Sequence, residues 1–379
     1  MPFDNLSGDP NQEYLSDGLT DEIIATLSRV PKIFVIARNS TFTYKGKPVK
    51  VQQVSEELGV RYVLEGSVKK AGNRMRITAQ LIDAINGHHL WAKQYDRNLE
   101  DLFAVQDEIT KKIITAMQVK LTEGDRALTA AKGTENLEAY LKYLQANEYI
   151  YKSNREGMAL AGKLAEEAIA LDPGYGMPYV VLAMINISGF WLDTGKSQET
   201  SLAEATESLK KAIALDDSNA EAHSQLAFVY IMNNQTEKAL DQAEKAVGLD
   251  PNSSTAHFWM GKVLAFDFRN EEAISEYKKA IRLNPFPPNI YFWSLGLAFA
   301  ETGQYKEGIK WCEKAIRQEP DSLFAHIMMT IVYSWSGREE DARAEAAEVL
   351  RINPNFSLER FAKRATPKLT EALRKAGLK

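Results

Sequence analysis

Ala246-Val-Gly-Leu-Asp-Pro251 and Ala280-Ile-Arg-Leu-Asn-Pro285 are two copies of one sequence motif, and the repetition of this motif decides the fold of most of the chain. Related motifs end at positions 173, 217, 251, 285, 320 and 354. The last four distances between successive motif ends are therefore 34, 34, 35 and 34 residues. The first distance is 44 residues, which predicts an insertion near 193–200. A repeat of this length indicates stacked supersecondary units that share a continuous core.

Small residues recur inside each copy at two fixed distances from its end. Twelve positions before the end of each copy stands a small residue: Ala161, Ala205, Ala239, Ala273, Gly308 or Ala342. Twenty-four positions before the end of each of the last four copies stand Ala227, Gly261, Gly296 and Thr330. Two helices approach closely where small side chains face each other, and a terminal proline cannot continue a helix. The pattern therefore predicts one pair of helices per copy.

This combination of period, small residues, aromatic positions and terminal proline resembles the tetratricopeptide repeat, a 34-residue helix–turn–helix unit. The resemblance covers 137–356 as six repeats, of which the first two are the least regular. It implies an all-α solenoid whose first helices line a groove that binds a protein or peptide. The segment 357–379 is predicted to form a helix that caps the end of the array.

The amino-terminal third has a different pattern, which predicts a small α/β domain over 1–122 and a linker over 123–136. The predicted helices span 19–30, 51–58 and 99–121. The predicted strands span 32–37, 60–68, 74–82 and 88–95. Asn86-Gly87 is a strong signal for a hairpin between the last two strands. We therefore expect an α+β protein, in which a mostly antiparallel sheet precedes the helical array.

Several segments of this third resemble the TolB-amino-terminal-type domain. They are the stretches 2–10, 17–23, 35–40, 62–68, 76–83 and 90–92. In bacteria this domain, followed by tetratricopeptide repeats, typically forms the back half of class III adenylate or guanylate cyclases. It also follows the winged-helix domain of some membrane-tethered transcription regulators. The resemblance implies a regulatory segment, and no residues remain here for a cyclase catalytic domain or a DNA-binding domain.

Composition argues against several other classes of protein. The net charge of −5 disfavours a general nucleic-acid binder. The single cysteine, Cys312, is predicted to be a buried structural residue, and no disulfide, metal site or cofactor site is expected. His223, His257 and His326 occupy one equivalent repeat position and are interpreted as packing residues. Phe292 holds that position in the intervening repeat.

The chain is predicted to have no enzymatic activity, because no set of acid, base and nucleophile is recognisable. The alternative is an unrecognised enzyme with its site in the α/β domain, at Asp83 or Glu65. No run of apolar residues is long enough for a membrane span, and Met1-Pro2-Phe3-Asp4 does not resemble a signal peptide. We expect a cytoplasmic location for the chain as it stands. A periplasmic location is expected if a transmembrane helix precedes it in a longer parent.

The repeat register predicts a largely apolar lining for the groove. Its candidate residues are Met184, Ile187, Phe228, Ile231, Phe258, Lys262, Phe266, Trp293, Leu297, Ile327, Ile331 and Trp335. Only Lys262 is basic, which disfavours a clamp for a terminal carboxylate. Three interpretations stay open: a partner groove, packing between repeats or against the α/β domain, and an error in the register.

Two functional hypotheses follow. The first is a regulatory segment of a bacterial signalling protein whose repeats bind a protein partner and whose α/β domain couples them to an upstream effector. The second is a stand-alone adaptor without an effector. Dimerisation through the α/β domain is a further expectation that no particular residue supports.

Overall fold

A computed structural model of the protein describes residues 1–31, 33–117, 133–151, 154–189, 197–362 and 365–379. Within them, a four-stranded mixed sheet near the amino terminus is followed by successive pairs of antiparallel helices. This arrangement confirms the predicted α+β fold class with a helical repeat array.

The sheet has the strand order β1-β2-β3-β4, with β1 at Asp4–Asn5, β2 at Tyr62–Ala71, β3 at Arg74–Asp83 and β4 at His88–Asn98. β1 pairs with β2 in parallel, and the other two pairings are antiparallel. One face of β3 is buried through Met75, Ile77 and Ala79, because successive side chains point to opposite faces of a sheet. Gly87 has a φ of +72° and closes the predicted hairpin.

In the described part of the amino-terminal third, the sheet is accompanied by the helices α1 at Glu13–Ser28, α2 at Arg38–Phe42, α3 at Val51–Leu58 and α4 at Leu102–Ala116. Two 3₁₀ turns, Pro10–Gln12 and Leu99–Asp101, precede α1 and α4. The predicted helix at 51–58 is confirmed, and Gly59 ends it with a φ of +64°. The helix predicted at 19–30 begins earlier, because Pro10 starts a turn whose amide at Asn11 is capped by the side chain of Asp9. The end of the helix predicted at 99–121 lies outside the described residues.

The strand predicted at 32–37 is wrong for residues 33–37, and Lys32 lies outside the described residues. Ile33 and Ile36 are buried, which explains the apolar pattern. The backbone does not join the sheet, because the Ala37 amide donates to the carbonyl of Leu283, 2.8 Å away, at the end of a repeat helix. A short buried apolar run does not by itself distinguish a strand from an irregular segment.

The repeat helices are numbered α5 to α16. They span Leu137–Tyr151, Arg155–Leu171, Met177–Gly189, Gln198–Leu215, Ala220–Met232, Thr236–Leu249, Ser254–Phe266, Asn270–Leu283, Ile290–Glu301, Tyr305–Gln318, Leu323–Trp335 and Glu339–Ile352. Two shorter helices follow, α17 at Leu358–Ala362 and α18 at Pro367–Lys375. The small residues predicted at the helix crossings are buried; Ala205, Ala239 and Ala273, for example, are 0% exposed.

Contacts divide the chain into two compact units. The first unit comprises Met1–Trp259 and Leu283–Pro285, and the second comprises Met260–Arg282 and Phe286–Lys379. The α/β elements and the first repeats therefore share one unit. The predicted linker at 123–136 stays a prediction, because residues 118–132 lie outside the described parts of the chain.

Candidate binding surfaces

The predicted groove residues divide into a buried set and an accessible set. The buried set is Phe228, Ile231, Phe258, Trp293, Ile327 and Ile331. The partly or largely exposed set is Met184, Ile187, Lys262, Phe266, Leu297 and Trp335. The buried side chains pack inside the array, whereas a partner can reach the exposed ones without displacing the core. The groove itself stays a prediction.

Within the second unit, three accessible side chains, Lys262, Phe266 and Phe324, lie around the largely buried Trp293. We call these four residues the Lys262 surface. Lys262 Nζ lies 5.9 Å from the Phe266 ring centroid and 5.1 Å from that of Trp293. The rings of Trp293 and Phe324 stack with their centroids 6.0 Å apart. Phe266 and Phe324 remain 42% and 38% exposed. The first helices of three successive repeats, α11, α13 and α15, supply these residues.

Sequence reasoning missed Phe324. Its equivalents in the preceding repeats are Glu221, Thr255 and Ile290, so the repeat pattern contains no aromatic signal at this position. Only the stacking on Trp293 identifies Phe324 as part of the surface.

Lys262 has an unusual electrostatic environment. No carboxylate forms an ion pair with it within the described residues, and loss of solvation lowers the pKa of its ammonium group to about 8. The faces of aromatic rings attract cations but do not neutralise them. Within the described residues, the Lys262 ammonium is therefore an unpaired cation beside the exposed Phe266 ring and the largely buried Trp293 ring.

The carboxy-terminal segment covers the last repeat in the second unit. α18 packs against α15, and Leu373 and Leu378 are 0% and 1% exposed. Lys368 Nζ lies 4.2 Å from the Trp335 ring centroid and 2.5 Å from Glu301 Oε2. Trp335 is thus partly covered by the chain itself.

The repeat histidines are buried and anchor the turns that precede them. Nε2 lies 3.0 Å from the Asp217 carbonyl oxygen in His223, and the equivalent distances are 3.0 Å for His257 and 2.9 Å for His326. Nδ1 of His326 lies 2.6 Å from Glu345 Oε2, on the second helix of its repeat. Each ring therefore links a turn to its own helix pair, which is a structural role.

The other residues considered for chemistry also have structural contacts. Asp83 accepts hydrogen bonds from the Arg61 guanidinium at 2.8 and 3.1 Å, and Glu65 accepts one from Gln80 at 3.0 Å. Cys312 is 0% exposed, and burial raises the pKa of its thiol.

Among the described residues, no group of three or more potential ligands could hold a metal ion. None of the helices described has both the length and the apolar character required to cross a bilayer.

A cavity of about 740 Å³ lies in the first unit. Residues of α1, α4, α5, α7 and α9 line it. Asp21 and Glu22 of α1 face it, and burial raises the pKa of both carboxyl groups to about 7. Among the predicted groove residues, Met184 lies in its wall.

Comparisons with known proteins agree with the repeat geometry. Two family models, both described as tetratricopeptide repeat, match residues 198–263 and 260–322. A curated protein named "Putative adenylate cyclase 3", from Rhizobium meliloti (strain 1021), is 42% identical over 239 residues, which are 63% of this chain and 41% of that protein. The chain thus spans less than half of the length of that relative.

Solved structures with similar folds include YrrB, described as a TPR protein with an unusual peptide-binding site. It is 21% identical, and the match covers 54% of this chain and 100% of YrrB with a TM-score of 0.37. The APC/C hetero-tetramer Cut9–Hcn1 is 16% identical over 74% of this chain and 54% of the matched chain, with a TM-score of 0.48. The family-model matches and the paired helices together lead to one conclusion: this chain contains tetratricopeptide repeats.

Proposed function

We propose that this chain is a non-catalytic regulatory segment of a bacterial signalling protein and that its repeats bind a protein partner through the Lys262 surface. Tetratricopeptide repeats bind proteins through the helices that supply this surface. Exposed aromatic residues that surround an anchor are typical of protein interfaces. The observation that carries the proposal is the Lys262 ammonium, which has no ion-pair partner within the described residues and lies beside the rings of Phe266 and Trp293, the latter stacked on Phe324.

The chemistry of the surface suggests the kind of partner segment. Apolar side chains would cover Phe266 and Phe324, and a carboxylate would pair with Lys262. A carboxylate at this point gains an ion pair in a partly desolvated site, where charge interactions are stronger than in bulk water. We therefore propose a segment that carries both apolar and acidic side chains.

The experiment is affinity capture from the source cells with the full chain as bait, followed by binding measurements on the captured partner. We expect Lys262→Glu and Phe266→Ser each to weaken binding by at least about tenfold. Leu350→Ser is the matched control, since Leu350 is also exposed, at 43%, but lies on a second helix, α16. Equal binding by all three variants would contradict the proposed surface.

The signalling part of the proposal rests on the cyclase-named relative and on the TolB-like segments. An immunoblot of source cells, with an antibody to the repeats, tests it. A native product much heavier than 42.5 kDa, the mass of these 379 residues, would support a regulatory segment if the purified product also has cyclase or DNA-binding activity. A native product of 379 residues would favour the second candidate, a stand-alone adaptor.

A further inference from the structure

One edge of the sheet in the first unit is formed by β4. This strand spans His88–Asn98 and stands last in the strand order, with β3 as its neighbour. In the described parts of the chain, no other backbone segment forms hydrogen bonds with the outer side of β4. A long edge strand with unpaired amide and carbonyl groups can pair with a strand of another chain.

The backbone groups on this outer edge belong to even-numbered residues. Directly after β4, the Leu99 amide donates to the carbonyl oxygen of Asn73, 2.8 Å away, beside the start of β3. The Asn98 amide instead donates to the side chain of Asp101 at 3.3 Å. Successive residues of an antiparallel strand direct their backbone groups to opposite sides, so the even-numbered residues from Ala92 to Asn98 direct theirs outward.

The ion pairs of β4 leave this edge open. Charged residues commonly protect edge strands from pairing, but Lys93 forms an ion pair with Glu108 of α4. Asp96 forms one with Arg76 of β3, at 2.6 Å. Ala92 carries only a methyl group and is exposed. A further strand can therefore approach β4 without displacing any part of the described structure.

The residues of β4 determine how a second copy of the chain would pair with it. Two copies related by a twofold axis pair in antiparallel fashion, and one residue of the strand lies opposite its own copy. Leu90 is bulged and has no partner on β3, so the regular part of the strand is 91–98. Only a register centred near the middle of this part, on Gln94 or Tyr95, pairs most of it.

Charge distinguishes these two registers. The register centred on Tyr95 places Lys93 opposite Arg97 of the second copy, and like charges directly opposite each other destabilise a sheet. The register centred on Gln94 avoids this conflict. It places Trp91 opposite Arg97, so that a cation lies beside an aromatic ring. Arg97 is exposed, and no carboxylate forms an ion pair with it within the described residues.

We propose that two copies of this chain pair through their β4 strands, with Gln94 on the twofold axis and one continuous sheet across the pair. The side-chain amide of each Gln94 can donate to its copy and accept from it, since this group has both functions. The outward backbone groups of Ala92 pair with those of Asp96 in the second copy. This proposal concerns the sheet of the first unit and does not depend on the Lys262 surface of the second.

Size-exclusion chromatography with multi-angle light scattering, on the full chain, measures its mass in solution. We expect twice the 42.5 kDa of one chain, with dissociation on dilution. Gln94→Lys places two ammonium groups opposite each other, and Gln94→Glu places two carboxylates there. Each variant alone should raise the dimer dissociation constant about fivefold. An equimolar mixture of the two should restore the dimer, because opposite charges then meet on the axis.

Ala92→Pro removes an outward amide that the single chain does not use, and proline is tolerated on edge strands. It should raise the dissociation constant at least about tenfold, because the twofold axis doubles the loss of interchain hydrogen bonds. Circular dichroism should show an unchanged fold in the variants.

Gln53→Lys is the matched control, since Gln53 is also an exposed glutamine but lies on α3. It should change the dissociation constant less than twofold. A natural chain that is a monomer would overturn the proposal and would assign the edge to a strand of another protein. A dimer that Gln94→Lys and Ala92→Pro leave intact would also overturn it, because the copies would then pair through another surface.

Discussion

Gly296 lies at a helix crossing that leaves no room for a side chain at this position. A Cβ atom there would lie 2.6 Å from Cys312 Sγ and 2.9 Å from the Gly308 carbonyl oxygen, both on α14. Real Cβ atoms do not approach backbone oxygen so closely, so the helices would have to separate. The close crossing of α13 and α14 thus depends on two glycines and a buried cysteine.

We expect Gly296→Ala to lower the free energy of unfolding by about 1–3 kcal/mol, because the crossing becomes overpacked. Gly248→Ala is the control, since no atom lies within 4 Å of a Cβ built at this helical glycine. It should stabilise the chain by up to about 1 kcal/mol, because alanine has the higher helix propensity. Urea denaturation of both variants measures the difference, and equal effects would contradict the packing argument.

Glu22 makes stability depend on pH. In the unfolded chain its carboxyl titrates near the ordinary value of 4.5, but burial raises the folded pKa to about 7. Between these values the folded state holds more protons than the unfolded state, so stability falls as the pH rises. Asp21, Arg29, Tyr140, Tyr143 and Tyr175 are the groups whose charges interact with it.

We expect Glu22→Gln to raise the free energy of unfolding at pH 8 by about 1–3 kcal/mol, since the ionised carboxylate is removed. At pH 4 both chains carry a neutral group, and their stabilities should agree. Thermal or urea unfolding at the two pH values tests this result. The same difference at pH 4 and pH 8 would show that ionisation is not the cause.

At the scale of the element, the turn between the two helices contains one residue with positive φ in each of the last four repeats. These residues are Asn234, Phe268, Gly303 and Gly337, with φ values of 56°, 59°, 79° and 77°. Glycine and asparagine adopt this left-handed region readily, whereas a bulky side chain does so at a cost. Phe268 is also 78% exposed, so its ring gains little from burial.

We expect Phe268→Gly to stabilise the chain by about 1 kcal/mol, because glycine relieves the backbone strain. Gly337→Ala places a side chain in the same conformation, and it should destabilise the chain by a similar amount. Differential scanning calorimetry compares the two melting temperatures. Loss of stability in Phe268→Gly would mean that the ring has a packing role that its exposure does not indicate.

At the scale of the first compact unit, turns of the repeat array hold the α/β elements. Asn252 donates hydrogen bonds to the carbonyl oxygens of Ser28 and Val30, at 2.9 and 3.1 Å, and Ser40 donates to Asn284 at 2.6 Å. Gly18 of α1 packs so closely that a Cβ atom would lie 2.5 Å from Leu144 of α5. The first repeats therefore form one unit with the α/β elements.

We expect Asn252→Ala to increase amide hydrogen exchange at the end of α1 severalfold, because two buried carbonyl oxygens lose their donor. Exchange in β3, which has no contact with Asn252, should not change and serves as the internal control. Uniformly faster exchange would indicate global destabilisation and would contradict a local role for this contact.

The amino-acid sequence by itself determined the repeat array, the hairpin at Asn86-Gly87 and the helix at 51–58. Their signals are local: fixed spacing, small residues at helix crossings, and residues suited to particular turns. The tertiary structure alone decided three features. They are the backbone path of 33–37, which of the predicted groove residues are exposed, and the desolvation that raises the pKa of Glu22. These depend on contacts between residues far apart in the chain, such as Ala37 with Leu283 or Phe324 with Trp293. No local pattern records such contacts, because burial and hydrogen bonding depend on which distant surface packs against each element.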